Sequence, residues 1–117
     1  MKRETLFKYA RENFNSEPEY LWKNLPSYAV LRHDDGNKWF AILMNVPGTK
    51  LGLETDDEID VLEVKGRPEY IGSLRQKEGI LPAYHMNKEH WISIPLSGAL
   101  SCKEIYEFLI ESHELTS

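Results

Sequence analysis

The chain has 117 residues, 41% hydrophobic and 28% charged, which gives one domain with a modest core and excludes both a disordered chain and a two-domain protein. Its formal net charge of −5 argues against affinity for nucleic acid by the domain as a whole, since neutralised phosphates supply most of such affinity. A lone Cys102 excludes a disulfide framework or cysteine metal site, no run approaches the roughly 18 apolar residues of a membrane span, and Met1–Lys8 lacks a signal-peptide core, so the expectation is a cytoplasmic protein with no membrane role.

The first element is a helix over 3–14. Leu6, Phe7, Ala10 and Phe14 form one apolar stripe opposite Lys8, Arg11 and Glu12. Asn13, Asn15, Ser16 and Pro18 end it. Residues 19–22 read as a loop whose aromatics fold back, with Trp22 as a core plug. Tyr28–His33 is a short strand, and Asp34–Asn37 a turn in which Gly36 takes the positive φ of a hairpin. Lys38–Val46 is the second strand. Simple alternation puts Trp39, Ala41 and Leu43 on one face and Phe40, Ile42 and Met44 on the other, so the strand is covered on both sides.

Pro47-Gly48 breaks that strand, and Leu51–Glu58 is an acidic connection. Its acids lack the spacing of a calcium loop and read as solvated. Ile59–Lys65 is the third strand, with Val61 and Glu63 on one face and Leu62 and Val64 on the other. A helix follows from Arg67 to Lys77, with Pro68 in its first turn and Gly79 as a left-handed cap. Ile80–Met86 reads as a fourth strand, Asn87–Glu89 as a turn and Trp91–Leu96 as a fifth strand. Ser101 and Glu104 have capping-box spacing ahead of a last helix that buries Ile105, Phe108 and Leu109. The order α-β(3)-α-β(2)-α gives an α+β two-layer sandwich, with helices on one face of an antiparallel five-stranded sheet.

Charge is unevenly distributed. Residues 54–63 carry six acids and no base, whereas 65–90 carry five bases and three acids. The stretch Tyr84-His85-Met86-Asn87-Lys88-Glu89-His90-Trp91 mixes aromatic and ionisable side chains most densely. With Leu81–Ala83 before it, Ile71–Gln76 and Lys38–Ala41 upstream and the capped last helix near His113 downstream, it resembles the MmcQ/YjbR family of small bacterial proteins over nearly the whole chain. The resemblance implies the same element order, a non-enzymatic protein without a cofactor, and DNA as partner. It also implies a likeness to secretion chaperones, hence a polypeptide partner as the alternative.

The candidate nucleic-acid contacts are Tyr84, His85, Asn87, Lys88, His90 and Trp91, with Arg67 and Arg75 on a neighbouring surface. Lys88 at a turn tip suits a phosphate, and Tyr84 and Trp91 suit stacking on a base. His85 and His90 are five apart, which is not the i, i+4 spacing of a helical zinc pair; the plainer expectation is that their side chains pin the turn. Cys102 at a helix start lacks an adjacent histidine, and no nucleophile elbow or phosphate-cradling glycine loop is present, so no catalytic or metal residue is expected.

Overall fold

The computed structural model describes residues 1–36 and 38–117. Its elements run α1 (Arg3–Phe14), β1 (Ala29–Arg32), β2 (Trp39–Pro47), a 3-10 turn (Gly48–Leu51), β3 (Glu58–Lys65), α2 (Pro68–Leu74), β4 (Leu81–Pro82), β5 (Trp91–Pro95) and α3 (Cys102–Thr116). The five strands form one open antiparallel sheet in the order β1-β2-β3-β5-β4. The α+β class and the element order read from the sequence therefore hold.

All three helices bury their stripes on one face of that sheet. Leu6, Phe7 and Ala10 from α1, Ile71 from α2 and Ile105 and Leu109 from α3 meet Leu31, Leu43, Leu62, Val64, Ile92 and Ile94 in the main core. Helix α1 stops where Asn15 turns left-handed (φ 51); Asn15 N–H returns to the Arg11 carbonyl and Ser16 N–H to that of Ala10. Helix α3 starts on the expected box: Ser101 Oγ accepts from Glu104 N–H at 3.2 Å, and Glu104 Oε1 from Ser101 N–H at 3.1 Å. Its Ser112 closes a gap in the ladder, donating to Phe40 C=O at 2.5 Å and accepting from Lys65 N–H at 2.8 Å.

Strand β2 departs from simple alternation. Leu31 pairs with Ala41 but Arg32 pairs with Trp39, so Phe40 is the extra residue of a β-bulge. The bulge exchanges the expected faces: Phe40 joins Ala41 and Leu43 in the helix-side core, and Trp39 joins Ile42 and Met44 on the far side. A count from sequence misses this because one inserted residue inverts every assignment beyond it. The turn placed at 34–37 has Gly36 at φ 82, and Asn37 lies outside the described residues.

The fourth strand is also shorter than the sequence suggested. Only Leu81 and Pro82 pair with β5; residues 83–90 leave the ladder and cross the far face. Two local causes act together. His85 has φ 63, which a β-strand does not accommodate, and Tyr84 N–H is taken by side chains on β3 and β5 instead of a neighbouring backbone. Helix α2 ends at Leu74 rather than Lys77, and the chain turns back at Gly79 (φ 93).

Candidate functional site

The face of the sheet without helices is covered only by irregular chain. Val30, Ile42, Met44, Val46 and Val61 point out from it, and Trp22, Trp39, Leu51, Tyr84 and Met86 pack on them from the side. Trp22 stands edge-on to both Tyr28 (6.3 Å, 79°) and Trp39 (5.7 Å, 88°) and is half-buried at the wall of a cleft. It is therefore a wall residue, and the expected core plug is corrected: the helices that would have sealed Trp22 all lie on the other face.

Three adjoining clefts lie on this side. The first, about 410 Å³, is lined by Trp22, Leu25, Tyr28, Trp39, Met44 and Met86 with Ile42 and His85. The second, about 440 Å³, shares Leu25 and Tyr28 with the first and follows Asn45, Val46 and Pro47 to Lys50 and Glu58. The third, about 200 Å³, shares Lys50 and Tyr84 with the second and adds Leu51, Pro82, Ala83 and Lys88. The shared residues make them one trough beside β2, aromatic where that strand begins and cationic beyond its end.

Under the trough one rung crosses the sheet: Val30, Ile42, Glu63, Ser93 and Leu81 pair in succession. Glu63 is fully buried. Its Oε1 accepts from Tyr84 N–H at 2.9 Å, its Oε2 is in a very short contact with Ser93 Oγ, and Tyr84 N–H also reaches Ser93 Oγ at 3.0 Å. Burial disfavours the charged carboxylate and pushes Glu63 up to about 7, although the Ser93 hydroxyl, the Tyr84 amide and the Lys88 charge all pull the other way. Burial also raises Tyr28, helped by Tyr84 and then Glu63, so these three ionisable groups are neighbours. This group ties the 83–90 segment to the sheet.

Glu63 shares a face with Val61, as its place in the third strand implied, but its burial was not foreseen. The available signal was period two: Ile59, Val61 and Glu63 share a face, so the acid continues an apolar row. What no local pattern reveals is Ser93, thirty residues away in sequence, as its partner.

The other candidates disperse. Tyr84 lines the trough, and His85 lies against its ring at 3.9 Å. Asn87 shapes the turn: its Oδ1 accepts from Glu89 N–H at 2.8 Å, and its C=O accepts from the N–H groups of His90 and Trp91. His90 acts through its backbone, with its C=O taking Gly66 N–H at 2.9 Å, so the turn is pinned by Asn87 and main chain and not, as expected, by the two imidazoles. Lys88 is exposed and Trp91 half-buried. Arg67 and Arg75 cap the two ends of α2, on the helix side; Arg67 is 3.9 Å from Glu111 of α3, and neither lines the trough.

A second polar cluster sits at the end of α3. His33, buried, lies 2.7 Å from Thr116 Oγ1, and its ring meets His113, which stacks on Phe14. Burial, with His33 beside it, holds His113 below the usual histidine range. Among the described residues, no group of three or more His, Cys, Asp or Glu gathers to hold a metal ion, and no helix is long and apolar enough to cross a membrane.

The fold, an open antiparallel sheet clad with helices on one side only, recurs in solved structures. A crystal structure of a Pseudomonas syringae protein matches with a TM-score of 0.96 at 46% identity over 100% of both chains. A solution structure of a protein from that organism gives 0.88 at 46% identity, covering 98% of this chain and 92% of the other. A Deinococcus radiodurans protein shares the fold at 22% identity and a TM-score of 0.72, over 97% and 77%. The YjbR family model matches residues 14–115, and the uncharacterised protein YyaQ of Bacillus subtilis is 46% identical over 116 residues, covering 99% of this chain and 98% of its own. The chain belongs to the YjbR family.

Proposed function

We propose that this protein is a non-enzymatic recognition module that seats an extended polypeptide segment in the trough on its helix-free sheet face. The observation that carries this reading is the trough's shape. It follows β2 from Trp39 to Pro47, which at ~3.3 Å per residue is about 26 Å and matches roughly eight extended residues. A compact small molecule does not need that length. The aromatic and methionine walls suit varied apolar side chains, since thioethers and rings adapt to shape. Exposed Leu21 and Leu25 in the loop that forms one wall extend the apolar surface outward.

Titrating a generic unfolded polypeptide, carboxymethylated lactalbumin, against the ¹⁵N-labelled protein tests this. The expected shifts fall on Trp22, Trp39, Met44 and Met86, spare α1–α3, and weaken in Trp39→Ala. No binding, or shifts centred on the helices, overturns it.

One observation favours a second reading as a DNA-binding module: exposed Lys88 lines the same cleft as Tyr84, pairing a phosphate contact with a stacking ring. The net charge of −5 and the exposed Glu58 in the trough weigh against it. It requires binding to single-stranded or duplex DNA that falls steeply with salt and drops in Lys88→Ala. Undetectable or salt-insensitive binding at low salt removes it.

A further inference from the structure

The two ends of the trough differ in chemistry in a way that names its occupant. At the start of β2 the walls are Trp22, Trp39, Met44 and Met86, with His85 but no lysine, arginine or carboxylate among the lining residues. Beyond the end of β2 the smallest cleft is lined by Lys50, Leu51, Pro82, Ala83, Tyr84 and Lys88, two cations and no carboxylate. Both lysines are exposed, and neither is ion-paired with a carboxylate among the described residues. They come from different elements, Lys50 from the 3-10 turn and Lys88 from the 83–90 segment, so the fold brings together two like charges that repel unless something lies between them. On a chain of net charge −5, that juxtaposition stands out against the background.

We propose that the partner is a polypeptide segment carrying a bulky apolar or aromatic residue followed, a few residues along, by acidic residues. Its apolar side chain enters the Trp22–Trp39 end while its carboxylates lie between Lys50 and Lys88. This rests on the trough being a polypeptide seat and adds the chemistry of the partner.

The groups around the cationic end set a pH signature. Glu63 faces Lys88 and Tyr84 of the 83–90 segment, Tyr28 at the entry to β1 and Ser93 of β5, with Ile42 of β2 beside it. When Glu63 is ionised it partly offsets Lys88; when it is neutral the full lysine charge is available. An acidic segment therefore binds more tightly below the titration of Glu63 than above it, and its arrival raises that titration further. Glu58, exposed, lines the middle cleft and not the cationic one.

Blocked heptapeptides in water at low salt supply the test, each with a tryptophan near one end and a variable pair near the other, made in both chain directions. Calorimetry at pH 6 and pH 8 is combined with ¹⁵N shift mapping. The aspartate pair is expected to bind about tenfold more tightly than a serine pair and the lysine pair more weakly still. The aspartate advantage should shrink at pH 8 and with salt, and disappear in Lys50→Ala/Lys88→Ala, whose exposed sites leave folding intact. Replacing tryptophan by serine should abolish binding in every series. If serine or lysine peptides bind as well as the aspartate peptide, with shifts in the trough, the acidic partner is overturned while the polypeptide seat survives. If no peptide binds at millimolar concentration, both fall. An oligothymidylate that binds more tightly than the aspartate peptide, and through the same lysines, overturns the polypeptide in favour of nucleic acid.

Discussion

The two faces of this sheet are built from the same strands and do different work. On the helix side, three amphipathic helices close a dry core in which Phe40, Leu43, Leu62 and Leu109 have no exposure. On the other side, two irregular segments, 19–28 and 83–90, pack only partly over the strands and leave a trough whose floor contains a fully buried carboxyl group. Burial of hydrocarbon stabilises the first face. The second face spends some of that stability on an acid held out of water, and such groups concentrate where proteins bind or react. Stability rests on one side of the layer, and the proposed recognition on the other.

The largest expected effect comes from breaking the helix side. Phe40→Ala removes a ring packed edge-on against Phe14 and His113 and should cost about 3–5 kcal/mol in urea unfolding. The same truncation at half-buried Trp39, its neighbour across the bulge, should cost less than half as much. Equal losses would dissolve the distinction between the faces.

Next is Glu63→Gln, which imitates the protonated acid. Glu63 is raised from 4.5 to about 7 in the folded chain, so the folded state holds this proton more firmly than the unfolded one. Its contribution is complete below about pH 4.5 and is lost as the pH rises through about 7. Wild type should thus fall behind the glutamine variant by on the order of 3 kcal/mol at pH 8, with the two converging near pH 4–5. The depressed His113 acts in the opposite sense, losing stability on acidification, but it is common to both proteins and cancels in the difference. A constant gap between the unfolding midpoints across this range would show that Glu63 does not titrate there.

Smaller again is Ser112→Ala. It leaves the buried Phe40 carbonyl and Lys65 amide without their shared hydroxyl and should cost about 1–3 kcal/mol, read by the same urea curves, with no change in the trough's NMR shifts. The smallest is Lys88→Ala, which should leave global stability nearly unchanged and move the Glu63 titration upward, followed by carboxyl ¹³C shifts. A downward shift or none would mean that Lys88 does not act on Glu63.

The helix side was largely legible before any coordinates. Leu6, Phe7 and Ala10, the Ser101–Glu104 box, and Ile105 and Leu109 all declare themselves by spacing, because a helix repeats every 3.6 residues wherever it packs. The trough was legible only in part. The 84–91 stretch was singled out for its composition, yet His85 breaks the expected strand, Arg67 and Arg75 sit on the other face, and Trp22, Tyr28, Lys50 and Glu63 were not connected with it.

The sequence by itself determined the element order, the helix-clad core and the resemblance to a family, because those depend on residues close in the chain. The tertiary structure alone decided which face Trp39 and Phe40 occupy, since one bulge residue inverts the alternation. It also decided that Glu63 is sealed beneath Tyr84 beside Ser93, and that Lys50 and Lys88 share one cleft. The last two rest on strand register and loop path, which bring together residues about twenty to forty positions apart, and no local pattern encodes such distances.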